Sequence, residues 1–155
     1  MKPEFRLIEE VLSHSVETKD WDIAKQEWDF NDSYINESGQ TCLCGHKPIH
    51  EICIIVNNTN GKALEIGNVC VTKFMEIPIA ERIFNSFKKL KKNIGARMNI
   101  ETLYWLHENK IMSQKDFVFY MDTKKKIKLT WKQMKWRKDI NTKFINRIKR
   151  HERTI

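Results

Sequence analysis

Four cysteines and two histidines crowd one stretch of the chain: Cys42-Leu43-Cys44-Gly45-His46, then His50 and Cys53, then Gly67-Asn68-Val69-Cys70. Thiolates and imidazoles are the ligands that hold zinc, and a structural site takes four of them at a tetrahedral point. Cys42 and Cys44 occupy one tight turn, and Gly45 permits the left-handed backbone such turns use. The remaining ligands must come from a segment folded back onto it. The spacing predicts one structural Zn2+ on Cys42, Cys44, His50 and Cys70. His46 is the alternative histidine, disfavoured by crowding against Cys44. Cys53 alternates to the strand face opposite His50 and reads as a small buried thiol.

A hairpin would fold the two halves together. Ile52-Cys53-Ile54-Ile55-Val56 is a β-branched run, Asn57-Asn58-Thr59-Asn60-Gly61 is a turn signal, and Lys62-Ala63-Leu64-Glu65-Ile66 alternates as a return strand. A three-residue loop, Thr59-Asn60-Gly61 with Gly61 left-handed, sets Asn58 against Lys62. Val56 then faces Leu64, Ile54 faces Ile66 and His50 faces Cys70. Ile54, Val56, Leu64 and Ile66 share one apolar face in this register. A two-residue loop sets Val56 against Glu65 and scatters that face.

The same residues carry a resemblance. Cys42-x-Cys44-Gly45-His46, Ile49, Ile55, Asn57, Gly61 and Ile66-Gly67-x-x-Cys70-Val71-x-Lys73-Phe74 resemble a small zinc-binding module of uncharacterised proteins from bacteriophages and large DNA viruses. Upstream, Ala24-x-x-Glu27-Trp28 is similar to the segment that often precedes it. Downstream, Leu129-Thr130-x-Lys132-Gln133 with Ile140-Asn141 is similar to a helical motif that often follows. The resemblance spans about residues 20–145, and only the cysteine-bearing part is specific. It implies a metal site in a viral or mobile-element protein, and no activity. Val69 stands where some relatives carry a further cysteine.

Around this module the pattern is helical. Residues 4–13 space Phe5, Leu7, Ile8, Val11 and Leu12 as one helix does, and Asp20 caps a second helix predicted over 20–30. Residues 31–41 are rich in Asn, Asp, Ser and Gly and read as a loop. Ile79, Ile83, Phe84, Phe87, Leu90 and Ile94 form a stripe after Pro78, and another helix is predicted from Ile100 to His107. Ser113 opens a short apolar segment, Phe117 to Met121. Thr130-Trp131-Lys132-Gln133 is a capping box that opens a long helix toward Arg150. The expected fold is α+β and mostly helical: a zinc-ribbon-like or treble-clef-like hairpin flanked by helices. Its segments are an acidic one (1–41), the hairpin module (42–76), a helical one (77–121) and a basic C-terminal helix (122–155).

Charge is segregated along the chain, whose net charge is +8. Residues 1–41 carry 4 Lys/Arg against 10 Asp/Glu, and residues 124–155 carry 13 against 2. A cationic element of this kind suits a polyanion, because neutralising phosphates releases their counterions. The candidate nucleic-acid-binding residues are Lys124, Lys125, Lys126, Lys128, Trp131, Lys132, Lys135, Trp136, Arg137, Lys138, Lys143, Arg147, Lys149 and Arg150. Tryptophans among the cations suit stacking on unpaired bases of DNA or RNA. Trp21, Trp28, Phe30 and Tyr34 in the acidic segment suit the alternative: a viral factor that binds and inhibits a host protein or nucleoprotein complex.

Other classes find no support in the sequence. The hydrophobic fraction of 41% suffices for a core and excludes a low-hydrophobicity disordered chain. There is no apolar run of membrane-spanning length and no signal-peptide h-region, so a cytoplasmic location without membrane partners is expected. HExxH, the HxE…PCxxC pattern of zinc deaminases, the P-loop and GxSxG are all missing. Glu51 is expected on the strand face opposite His50, and nothing singles out Cys53 with His107 as a nucleophile pair. No catalytic residue is nominated.

Overall fold

A computed structural model describes residues 2–149 and the backbone of Arg150. Seven helices and one three-stranded antiparallel sheet make an α+β fold among these residues. The chain divides into two compact units, the first built on residues 2–81 together with Lys149 and Arg150, the second on Arg82–Ile148.

In the first unit α1 (Pro3–Ser13) begins with proline at its first position, where a missing N–H costs nothing, and buries Leu7 and Val11. Asp20 caps α2 (Trp21–Lys25) by accepting from the Ile23 N–H. The helix expected to reach residue 30 ends at Lys25, because the chain then enters β1 (Trp28–Gln40). This strand is the main departure from the sequence reading, which made 31–41 a loop. β1 pairs antiparallel with β2 (Ile49–Asn57), from Trp28 opposite Asn57 to Ile35 opposite Glu51, and Gln40 opposite Ile49. Two register shifts, at Asn31 and after Ile35, break its period of two. β2 is the central strand, and β3 (Ala63–Gly67) lies on its other edge.

The hairpin forms, in a register one residue from the expected one. Val56 pairs with Ala63, Ile55 with Leu64, Cys53 with Ile66 and Ile52 with Gly67. The cause is Asn57. Its side-chain Oδ1 accepts from the Thr59 and Asn60 N–H groups at 2.8 and 3.0 Å, and its carbonyl accepts from Gly61 at 2.9 Å. Asn57 N–H in turn donates to Lys62 O, closing a four-residue turn, Asn58–Gly61. Gly61 does take the left-handed conformation, at φ +76°. The slip puts Cys53 and Ile55 with Leu64 and Ile66 on one face, while Ile54 and Val56 stay half-buried on the other.

A carboxylate ties this turn to the helical segment. Glu27 accepts from the Val16 and Glu17 N–H groups at 2.8 and 2.9 Å and from Asn57 Nδ2 at 2.8 Å. Next to it, Trp28 is buried, and its indole N–H donates to Ser15 Oγ at 2.8 Å. After β3 the chain does not continue as a strand. It turns at Gly67 into α3 (Asn68–Lys73), which carries Cys70.

The second unit is helical: most of α4 (Ile79–Lys92), then α5 (Ile100–Glu108), α6 (Gln114–Thr123) and most of α7 (Trp131–Arg150). Ile83, Phe84, Phe87 and Leu90 of α4, with Leu103, Leu106, Tyr120, Ile140, Phe144 and Ile148, are buried. Ser113 caps α6 by accepting from Asp116 N–H, and Thr130 with Gln133 completes a reciprocal capping box on α7 at 3.1 and 3.0 Å. A buried polar network fixes the loop 93–99. Asn141 Nδ2 donates to the Ile94 and Ala96 carbonyls at 2.7 and 2.8 Å, Asn141 Oδ1 accepts from the Tyr120 hydroxyl at 2.8 Å, and that hydroxyl accepts from Met98 N–H at 2.9 Å.

Candidate metal centre and basic surface

The tight turn at Cys42 is closed by its own backbone. Cys42 N–H donates to His46 O, and Gly45 N–H donates to Cys42 O, both at 2.9 Å. Gly45 has φ +95°, and a Cβ there would meet the Arg6 guanidinium at 2.7 Å. The turn therefore needs glycine for its left-handed conformation, while the exposed Arg6 side chain could move aside. Its sulfurs receive backbone donors: Gly67 N–H to Cys42 Sγ and His46 N–H to Cys44 Sγ, each at 3.4 Å.

Folding brings three of the four cysteines together. The sulfurs of Cys42, Cys44 and Cys70 all lie within 4.8 Å of one another, and all three residues are buried. Sulfurs bound at the usual zinc distance in a tetrahedron are roughly 3.8 Å apart, so three ligands of one metal ion fit with a small contraction. Donation from the Cys70 thiol, opposed by burial and aided by the Cys44 and Gly67 N–H groups, holds the Cys42 thiol down at about 5. The same hydrogen bond and burial push the Cys70 thiol up. The cluster can hold a metal ion.

The expected route for Cys70 is corrected. It is not on a strand across from His50, because β3 ends at Gly67 and Cys70 stands on α3. Gly67, where the chain turns, packs closely on the site: a Cβ there would lie 3.3 Å from Ile49 and 3.6 Å from Cys42 Sγ. Cys53 is fully buried outside the cluster, and burial, with the Glu51 charge next, pushes its thiol up. That is the buried thiol the sequence suggests.

Neither histidine lies within the three-sulfur cluster. Both line the cleft of about 590 Å³ that opens over it, together with Glu51, Asn68 and Phe74. Glu51 lines the cleft as His50 does, and Glu51 Oε1 accepts from Asn68 Nδ2 at 3.2 Å. His50 is exposed, and its Nδ1 lies 2.9 Å from the Asn36 carbonyl on β1. His46 is exposed with no side-chain partner among the described residues. The missed strand β1 therefore supplies the group that orients His50. An i, i+2 pair, Trp28 and Phe30, was its only clear signal.

The cations of the C-terminal element divide by burial. Lys125, Lys126, Lys128, Lys132, Lys135, Lys138 and Lys143 are exposed, and Lys124, Arg147 and Lys149 are half-buried. Arg137 is corrected: it is 4% exposed, donates to Thr123 O at 3.0 Å and lies over the Tyr120 ring, so it cannot reach a phosphate. Trp136 is corrected in the same way. Its ring stacks on Phe119 at 3.8 Å between centroids, and its N–H donates to Asp116 at 2.9 Å. Trp131 is 73% exposed. The Arg150 side chain lies outside the described residues.

The acidic segment's aromatics divide by burial. Trp28 and Tyr34 are buried, and Trp21 and Phe30 are half-buried. No described helix is long and apolar enough to cross a membrane. Comparison with protein-family models, with curated proteins and with solved structures finds no match to the chain.

Proposed function

We propose that the chain is a zinc-stabilised nucleic-acid-binding protein of viral or mobile-element type, with no catalysis of its own. One structural Zn2+ is held by Cys42, Cys44 and Cys70 with His50 as the fourth ligand. A proton on His50 Nδ1, donated to Asn36 O, leaves Nε2 with the lone pair a metal needs. His46 offers no such arrangement. The metal would join the knuckle, β1 through His50, and α3, so that folding and metal binding share one free energy.

The division of charge along the chain carries the nucleic-acid reading. Residues 1–81 hold 7 Lys/Arg against 14 Asp/Glu, whereas Arg82–Ile148 hold 18 against 5. The sign of the charge changes where one compact unit gives way to the next. The excess is wider than the C-terminal helix, because Lys88, Lys89, Lys91, Lys92 and Arg97 belong to it and are exposed. A field of one sign over a whole folded unit draws in polyanions and fixes no base sequence.

The test is a titration of the purified, nuclease-treated protein with verified zinc content against single- and double-stranded DNA and RNA at several salt concentrations. Binding whose affinity falls steeply with salt is the expected result. No binding at low salt would remove the assignment.

A further inference from the structure

The basic unit contains a cleft of about 370 Å³ whose charged lining is cationic throughout: Lys89 from α4, Arg97 from the loop 93–99 and Lys124 after α6, with Asn85, Ser86 and Asn99 around them. We propose that this cleft seats a backbone phosphate of single-stranded nucleic acid. The proposal rests on the nucleic-acid reading above and assigns it a place.

Three observations carry it. First, three cations from three separate elements converge with no carboxylate among the lining residues, and among the described residues none of the three forms an ion pair. Like charges gathered in a concave site repel one another and concentrate the field there, and an anion relieves both.

Second, the site is held rigid. Asn141 fixes the Ile94 and Ala96 carbonyls, Tyr120 holds Met98 N–H, Ser86 Oγ accepts from Asn99 N–H at 3.0 Å, and Asn93 Oδ1 accepts from Gly95 N–H at 3.1 Å. Arg97 is exposed on this anchored loop. One of its Nη groups donates to Lys124 O, and a guanidinium has further N–H groups with which to fork a phosphate. The buried network thus positions a charge that the fold itself does not neutralise.

Third, the chain leaving the cleft is suited to a strand with unpaired bases. Lys125, Lys126 and Lys128 are exposed, Ile127 is fully exposed, and Trp131 is 73% exposed with Lys132 Nζ 5.9 Å from its ring centre. From Lys124 to Trp131 the chain cannot span more than about 25 Å. Cations that track a backbone beside an aromatic platform are the recurring parts of single-strand binders, and a duplex hides the base faces that Trp131 would stack.

The experiment is fluorescence anisotropy with a labelled oligo-dT and a duplex of equal length, using the full-length, metal-loaded protein. Three proteins are compared: wild type, Lys89→Gln/Lys124→Gln, and Lys135→Gln/Lys143→Gln, which removes the same charge from α7. The cleft variant should lose at least about tenfold in affinity, with its salt slope flatter by about 0.7, the value for one lost single-strand phosphate contact. The α7 variant should lose clearly less. Equal losses in the two variants would overturn the cleft and leave the broad electrostatic reading standing. Duplex binding as tight as oligo-dT binding would overturn the single-strand assignment. Wild type that ignores both oligonucleotides and instead binds vesicles of anionic lipid would overturn the proposal together with the reading beneath it.

Discussion

Gly67 donates its backbone N–H to the sulfur of Cys42 at 3.4 Å, across 25 positions of sequence. This contact joins the end of β3 to the cysteine knuckle, and three residues later α3 delivers Cys70 to the same sulfur. The three cysteines are thus brought together by the sheet edge and the helix that follows it, and the loss of one sulfur should be felt as a loss of fold.

The cysteines should accordingly divide into two classes. Cys42→Ser should lose bound metal and the cooperative melting transition of the first unit. Cys53→Ser should keep its full metal content while costing about 1–3 kcal/mol, because it buries a hydroxyl in an apolar site. Native mass spectrometry gives the metal-to-protein ratio, and thermal melts give the stability. Full metal content and an unchanged transition in Cys42→Ser would remove Cys42 from the ligand set.

The two histidines make different predictions. His50→Ala removes a ring already oriented by the Asn36 carbonyl and should weaken zinc binding at least about tenfold, at the low end of what ligand orientation alone is worth. His46→Ala should change it little. Competition with a chromophoric chelator reads both. A larger loss in His46→Ala would reverse the assignment of the fourth ligand.

Much of this site was legible in the sequence, and the parts that were not share a physical cause. Cysteine type and spacing mark Cys42, Cys44 and Cys70 without any structure. The register could not be read from apolar alternation, because Asn57 uses its side chain to close the turn and so adds one residue to the loop. The same side chain holds Glu27, so two polar residues that look like loop markers organise the unit. β1 was missed because its interior is Asn31-Asp32-Ser33, of low strand propensity, and because a bulge there destroys the alternation. In the second unit the caps and stripes agree with the helices seen. Sequence gave no sign there that Arg137 is buried, since the Thr123 carbonyl that receives it comes from another helix.

Glu27 gives the fold a pH dependence. Asn57, then the Glu17 and Val16 N–H groups, stabilise its charged form and hold its carboxyl below the ordinary 4.5. A depressed carboxyl contributes stability that is complete above its unfolded value and is lost as pH falls through the folded one. Glu27→Gln should therefore be less stable than wild type at pH 7, and the gap should close as pH drops below about 4.5. Comparing the two proteins in melts from pH 7 to 3 cancels any acid release of metal from the proposed site, which both would share. A gap that stays constant across that range would exclude the carboxylate as the cause.

Two tryptophans only five positions apart on α7 should fail in opposite ways. Trp136 stacks on Phe119 and donates to Asp116, so Trp136→Ala should cost about 3 kcal/mol in stability through lost packing and an orphaned carboxylate. Trp131 has 73% of its surface in solvent, so Trp131→Ala should move stability by less than about 0.5 kcal/mol. Stacking of one base on an aromatic ring is worth about 1–3 kcal/mol, so the same change should weaken oligo-dT binding by roughly tenfold or more. Melting curves and anisotropy on the same two proteins separate the roles. A Trp131→Ala protein that binds as tightly as wild type would leave the lysines to act alone, and the preference for single strands would lose its aromatic platform.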